Sequence, residues 1–125
     1  MLLFALNDTS VFGEGVARAL GRPLDSHEER NFEDGEHKAR PLVSVRGRHA
    51  CVIQSLHGGP DASANDRLCK LLLFVSTLKS NGAARVTVLD RSLAYSRKDR
   101  QTKTRDPIAS QYIARLFEAA GADCA

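Results

Sequence analysis

His49-Ala50-Cys51-Val52-Ile53-Gln54-Ser55 has a continuous apolar centre where a strand with one wet face would alternate apolar and polar residues. Such a run suits a strand buried on both faces, the condition of a parallel sheet covered by helices. Its surroundings agree. Upstream, Leu2 to Leu6 is a short apolar run followed by Asn7-Asp8-Thr9-Ser10, residues that can cap a helix reaching about Leu20, where Gly21 and Pro23 stop it. Asp25 to Arg40 is acidic and polar, and its Asp34-Gly35 pair favours a tight turn, so a hairpin or an ordered loop is expected there. Arg46-Gly47-Arg48 then turns the chain into the buried strand.

Downstream, Gly58-Gly59-Pro60 breaks the chain before Ser63 and Asn65, either of which can cap a helix extending to about Ser80. Leu68, Leu71, Leu72, Val75 and Leu78 recur there at helical spacing, and Asn81-Gly82 ends it. Arg85-Val86-Thr87-Val88-Leu89 is a second buried strand by its β-branched content. Asp106-Pro107 opens a last helix whose face is Ile108, Tyr112, Ile113, Leu116 and Phe117, up to Gly121. Strands alternating with helices predict an α/β fold with a mainly parallel sheet.

The chain of 125 residues fits one domain, and 42% hydrophobic with 26% charged residues is ordinary for a folded soluble protein. No apolar run approaches the roughly 20 residues that cross a bilayer, and the opening residues lack the basic flank of a signal peptide. Cys51, Cys69 and Cys124 are three and widely separated, which suits neither a disulfide framework nor a zinc site and points to a reducing, cytoplasmic setting. Cys51 and Cys69 read as small core residues. His27, His37, His49 and His57 form no cluster and read as surface or turn residues.

The cationic charge is local. Arg91 to Arg105 holds six basic residues and one acidic residue, net +5, and the rest of the chain is net −2. Tyr95-Ser96-Arg97-Lys98-Asp99-Arg100-Gln101-Thr102-Lys103-Thr104-Arg105-Asp106-Pro107 follows a parallel strand, so it lies where such sheets bind anions. Guanidinium groups match phosphate oxygens bidentately, and Asp99 can orient an arginine, bind a ribose or contact a metal-bound water. The plain alternative is a solvated loop whose charge aids solubility. A nucleic-acid module needs interleaved aromatics or a basic recognition helix, and this stretch offers only Tyr95.

These residues resemble a family signature. Tyr95, Ser96, Arg97, Lys98, Asp99, Arg100 and Arg105-Asp106-Pro107 are similar to the signature of the ribose-phosphate pyrophosphokinases, also called phosphoribosyl pyrophosphate synthetases. Phe32-Glu33-Asp34-Gly35-Glu36 looks like the family's Phe-x-Asp-Gly-Glu segment, Ser44-Val45-Arg46-Gly47 like its Val-Arg-Gly turn and Val52-Ile53-Gln54-Ser55 like its buried strand. Asn65-Asp66-Arg67-Leu68 sits where the family has Asn-Asp-x-Leu before its long helix.

The resemblance implies a three-layer phosphoribosyltransferase-like domain, a twisted and mainly parallel sheet flanked by helices. It further implies transfer of the diphosphoryl group of Mg-ATP to ribose 5-phosphate, giving phosphoribosyl pyrophosphate and AMP. By position, Arg97, Lys98, Asp99 and Arg100 would lie at the nucleotide, with Lys98 replacing the commoner glutamine. Phe32, Asp34 and Glu36 would complete the adenine pocket of a neighbouring subunit in a dimer, the unit of an expected hexamer. Ser44 and Arg46 match a regulatory phosphate region between subunits, which Arg105 joins; a plain turn is the alternative for Arg46-Gly47.

Family members are about two and a half times longer, and this chain resembles their first domain only. The metal ligands for Mg2+, the ribose-phosphate loop and a mobile cationic loop are expected outside it, so no catalytic residue is assigned here and the chain alone is expected to be inactive. Asp90-Arg91-Ser92 departs from the family's apolar residue, proline and aromatic. An aspartate ending a buried strand needs a partner, for which Arg91 or Arg97 is available, and it implies a rearranged strand end. Two other readings stand beside the first: a non-catalytic relative that assembles with true synthetases and regulates them, and a basic nucleic-acid-binding module.

Overall fold

The computed structural model describes residues 1–91, 95 and 99–124. Three strands, β1 (Leu2–Ala5), β4 (His49–Gln54) and β5 (Arg85–Asp90), form a parallel sheet in the order β1-β4-β5. β4 is central, with Phe4 opposite Val52 on one side and Val52 opposite Val88 on the other. Helix α1 (Ser10–Leu20) lies on one face, against Leu3, Ala5, Cys51 and Ile53. Helices α2 (Ala64–Ser80) and α3 (Ala109–Ala120) cover the other, where Phe4, Val52 and Val88 meet Leu71, Phe74, Val75 and Phe117. The expected α/β layering with a parallel sheet is therefore present. Asp123 and Cys124 run on beside β5: the Asp123 amide donates to Val86 O and the Val88 amide to Cys124 O, both at 2.8 Å.

A hairpin of β2 (His27–Asn31) and β3 (His37–Pro41) forms a separate two-stranded sheet. Gly35, at φ 90°, supplies the left-handed residue that its turn requires. Ala39 packs on the core, and the His27 ring meets Phe4 and Phe74 edge-on or tilted, at 6.5 and 5.6 Å.

Several expectations change. Thr9 precedes α1 without capping it, because its hydroxyl turns to Gln54. Ser63, not Asn65, caps α2, through a reciprocal box with Asp66 that satisfies two orphan amides. α3 begins two residues after Pro107, and only Ile113 and Phe117 of its predicted face are fully buried; Tyr112 and Leu116 are each 47% exposed. Cys51 is buried as expected, whereas Cys69 is exposed. His27, read as a surface residue, has its side chain 8% exposed beneath the hairpin.

Gly13 shows how closely α1 sits on β1. A Cβ there would lie 2.2 Å from the Ala5 Cβ, while one on Gly15 meets nothing within 4 Å. Gly13→Ala should therefore lose about 1–3 kcal/mol by overpacking. Gly15→Ala should gain up to about 1 kcal/mol, the helix-propensity difference. Urea unfolding of both variants checks the opposite signs.

Candidate nucleotide site

Parallel pairing brings the C-terminal ends of β1, β4 and β5 to one edge. Polar groups there tie the strand ends together. Thr9, in the 3-10 turn Asn7–Thr9 that follows β1, donates its hydroxyl to Gln54 Oε1 at 2.5 Å and accepts the Ser55 amide at 3.0 Å. The Leu56 amide donates to Asp90 Oδ1 at 3.3 Å, which joins the end of β5 to the segment after β4. Asp90 thus has the Leu56 amide as a partner, the Arg91 guanidinium lies over the Phe12 ring, 5.4 Å from its centroid, and Arg97, the other expected partner, lies outside the described residues. Gln54 is fully buried, and its Nε2 meets no acceptor among the described residues.

The basic stretch leaves this edge directly from β5. Arg97 and Lys98 lie outside the described residues. Tyr95 does not: its hydroxyl donates to Asn65 Oδ1 in the first turn of α2. Asp99, Arg100, Lys103 and Arg105 are exposed. Asp106 closes the stretch, accepting the Thr102 hydroxyl at 2.8 Å and the Lys103 amide at 2.9 Å on Oδ2.

Phe32, Asp34 and Glu36 come together on the hairpin turn. The Phe32 amide donates to Glu36 O at 2.9 Å, and the Glu36 amide to Asp34 Oδ1 at 3.0 Å, so Asp34 shapes the turn it sits in. Phe32 remains 40% exposed, with the Arg30 guanidinium 5.2 Å from its ring centroid. Ser44 and Arg46 line a shallow hollow of about 360 Å³ with Arg40 and Asn81, and Arg105 is not among its lining residues. Gly47, at φ 70°, makes that turn and donates its amide to Gly82 O at 2.8 Å.

Sequence reasoning missed a buried charged group. Glu29 Oε2 accepts from His27 Nε2 at 2.6 Å and from the Asn7 amide at 2.5 Å, while Lys70 Nζ lies 3.1 Å from Glu29 Oε1 and 3.2 Å from Asp8 Oδ2. Burial opposes ionisation of Glu29, but hydrogen bonds from His27, Asn7 and Lys70, with the lysine charge, hold its pKa at about 2. For Lys70 burial also opposes the charge, and Glu29 and Asp8 outweigh it and raise the pKa. The one sequence signal was position: Lys70 lies four residues before Phe74, on the apolar side of α2. Among the described residues no group of three His, Cys, Asp or Glu side chains could hold a metal ion, and no helix is long and apolar enough to cross a membrane.

The layering defines a class, the α/β domains with a parallel sheet between helices, whose strand ends meet at one polar edge. Comparison with known proteins is more specific. A family model described as the N-terminal domain of ribose phosphate pyrophosphokinase matches residues 1–121. Ribose-phosphate pyrophosphokinase 1 of Streptococcus pyogenes serotype M3 is 36% identical over 121 residues, covering 97% of this chain and 37% of that protein. Ribose-phosphate pyrophosphokinase of Clostridium tetani is 38% identical over the same length and shares. The crystal structure of phosphoribosylpyrophosphate synthetase from Mycobacterium smegmatis superposes with a TM-score of 0.89 at 34% identity, covering 98% of this chain and 40% of that one. The chain belongs to the ribose-phosphate pyrophosphokinase family, as its N-terminal domain, and spans little more than a third of the length of these relatives.

Glu29 makes stability depend on acid pH. Its folded pKa of about 2 lies below the ordinary 4.5, so its contribution is whole above 4.5 and is lost as pH falls from 4.5 towards 2. Urea midpoints measured across that window should fall less steeply for Glu29→Gln than for the parent chain.

Proposed function

We propose that the chain is the N-terminal, ATP-binding and oligomerising part of a ribose-phosphate diphosphokinase, which transfers the diphosphoryl group of Mg-ATP to ribose 5-phosphate and yields phosphoribosyl pyrophosphate and AMP. The observation that carries this reading is the hairpin turn: within a chain of this family, an exposed aromatic ring and two carboxylates stand together on a turn built by its own hydrogen bonds. A ring stacked from one side by Arg30 can take a purine on the other. Glu36 and the second oxygen of Asp34 can accept the adenine amino hydrogens.

Arg97, Lys98 and Arg100 supply cations for the phosphates, and Asp99 orients an arginine or meets the ribose. Lys98 gives a point charge where the family's usual glutamine would give a neutral hydrogen bond. Ser44 and Arg46 form a regulatory phosphate site, the hollow beside Asn81 being its floor, and Arg105 reaches it from a neighbouring subunit. Phe32, Asp34 and Glu36 likewise serve the pocket of a second copy, so the working unit is a dimer within a hexamer, in the cytoplasm. Mg2+, when bound with the nucleotide, would supply charge neutralisation at the phosphates, to which Arg97, Lys98 and Arg100 add their cations. Its ligands, and those of the ribose phosphate, belong to a second domain of the whole protein.

Phosphoryl transfer rests on positioning and on cationic stabilisation, and the residues assigned here supply only the nucleotide's share. The 125-residue chain, supplied with Mg-ATP and ribose 5-phosphate, should therefore form no phosphoribosyl pyrophosphate; turnover measured by AMP release would overturn this division of labour. Calorimetric titration tests the nucleotide site itself. Phe32→Ala should weaken Mg-ATP binding by about 1–3 kcal/mol, the worth of a base stacked on an aromatic ring. Arg97→Ala should weaken it more than Arg48→Ala does, and equal effects would dismiss the assignment of the basic stretch.

A further inference from the structure

Charged side chains from three separate pieces of chain meet under the hairpin. Glu29 comes from β2, Lys70 from α2 and Asp8 from the turn after β1, with side-chain exposures of 5%, 8% and 19%. His27, also from β2, adds its ring nitrogen to Glu29. Apolar residues would attach a hairpin to a core at less desolvation cost, since a buried ion pair gains little net stability over well-packed hydrophobic side chains. What such a pair supplies is geometry, because a displaced charge finds no substitute partner.

The geometry fixed here joins two functional elements. Lys70 bridges Asp8, at the C-terminal edge of the sheet, and Glu29, three residues before Phe32 on the strand that leads into the hairpin turn. The Asn7 amide closes the same link directly onto Glu29. At the base of the hairpin Asp25 exchanges hydrogen bonds with Leu3 of β1, its amide donating to Leu3 O at 2.7 Å and its Oδ2 accepting the Leu3 amide at 2.8 Å. Nearer the turn, Ala39 on the core and the His27 ring against Phe4 and Phe74 are nondirectional contacts, whereas the ion pair is directional.

We propose that Glu29 and Lys70 are positioning residues, which hold the hairpin at one angle to the sheet and so set where Phe32, Asp34 and Glu36 are presented to nucleotide. The role assigned to the turn rests on the adenine reading given above. The positional claim stands on the contacts alone.

Hydrogen–deuterium exchange on the 125-residue chain separates this role from simple core stabilisation. In Lys70→Met, the hydrogen-bonded amides of β2 and β3 should exchange at least about tenfold faster while those of β4 and β5 keep their protection, a sub-global opening. The double variant Glu29→Gln/Lys70→Met removes the link without leaving Glu29 charged, and should show the same selective exchange in the hairpin; recovery of hairpin protection would assign the loss to a stranded charge and overturn positioning. Equal loss across β4 and β5, or no change in the hairpin, overturns the proposal. Lys70→Gln keeps a donor for Glu29 and gives the same contrast in milder form if Lys70→Met does not fold.

Binding supplies the second readout. Lys70→Met should weaken Mg-ATP by about tenfold, or 1.4 kcal/mol, and leave Mg-tripolyphosphate, which has no adenine, unchanged. Equal weakening of both ligands again overturns positioning. If Phe32→Ala also leaves Mg-ATP binding intact, the adenine reading fails, and the exchange contrast still decides the role of the pair.

Discussion

β4 is hydrogen-bonded on both edges and covered on both faces, and the arrangement of the rest follows from that constraint. A strand between two parallel neighbours can be reached only by crossovers, which put helices on the faces and leave no route for a short hairpin between sheet strands. The parallel sense also delivers every strand end to the same edge. That is why Thr9, Gln54 and Asp90, distant in sequence, share hydrogen bonds there. Gln54 marks the limit of the constraint. Turning its amide over would give Nε2 to Thr9 and strand Oε1 instead, so either orientation leaves one buried polar atom without a partner among the described residues.

What the sequence made legible was whatever depends on local pattern. Val52 and Ile53 are buried because a run of apolar residues admits no wet face, and the spacing of Leu68, Leu71, Val75 and Leu78 marks the inner face of α2. Helix ends were readable where one residue type dominates, as at Gly21 with φ 66°. Tyr112 and Leu116 failed because α3 covers the edge of a three-stranded sheet, so only the line through Ile113 and Phe117 reaches the core. Periodicity gives the direction of an apolar face and not its width. Cys69 failed similarly: residue type suggested burial, but its place on α2 is beside Leu73 on the exposed side.

Of the candidate site, the turn from Phe32 to Glu36 was legible and its support was not. His27-Glu28-Glu29-Arg30-Asn31 has no strand composition; it is a strand because β3 pairs with it and because Glu29 finds Lys70 and the Asn7 amide. The burial of a charge depends on partners elsewhere in the chain. A sequence displays each member of such a pair as an ordinary surface residue, and only the fold reveals that neither could be removed alone without stranding the other.

The basic stretch is marked by backbone conformation as well as by charge. Among the described non-glycine residues, those with positive φ are Tyr95 at 62° and Arg105 at 67°, which stand near the two ends of that stretch. A side chain in the left-handed region costs about 1–3 kcal/mol and persists where its surroundings over-determine it. Tyr95 is held through its hydroxyl by Asn65 of α2, and Arg105 lies inside the turn closed between Lys103 and Asp106. Each of these two residues is therefore held by a partner it meets only in the fold, Tyr95 by the first turn of α2 and Arg105 by the turn that Asp106 closes.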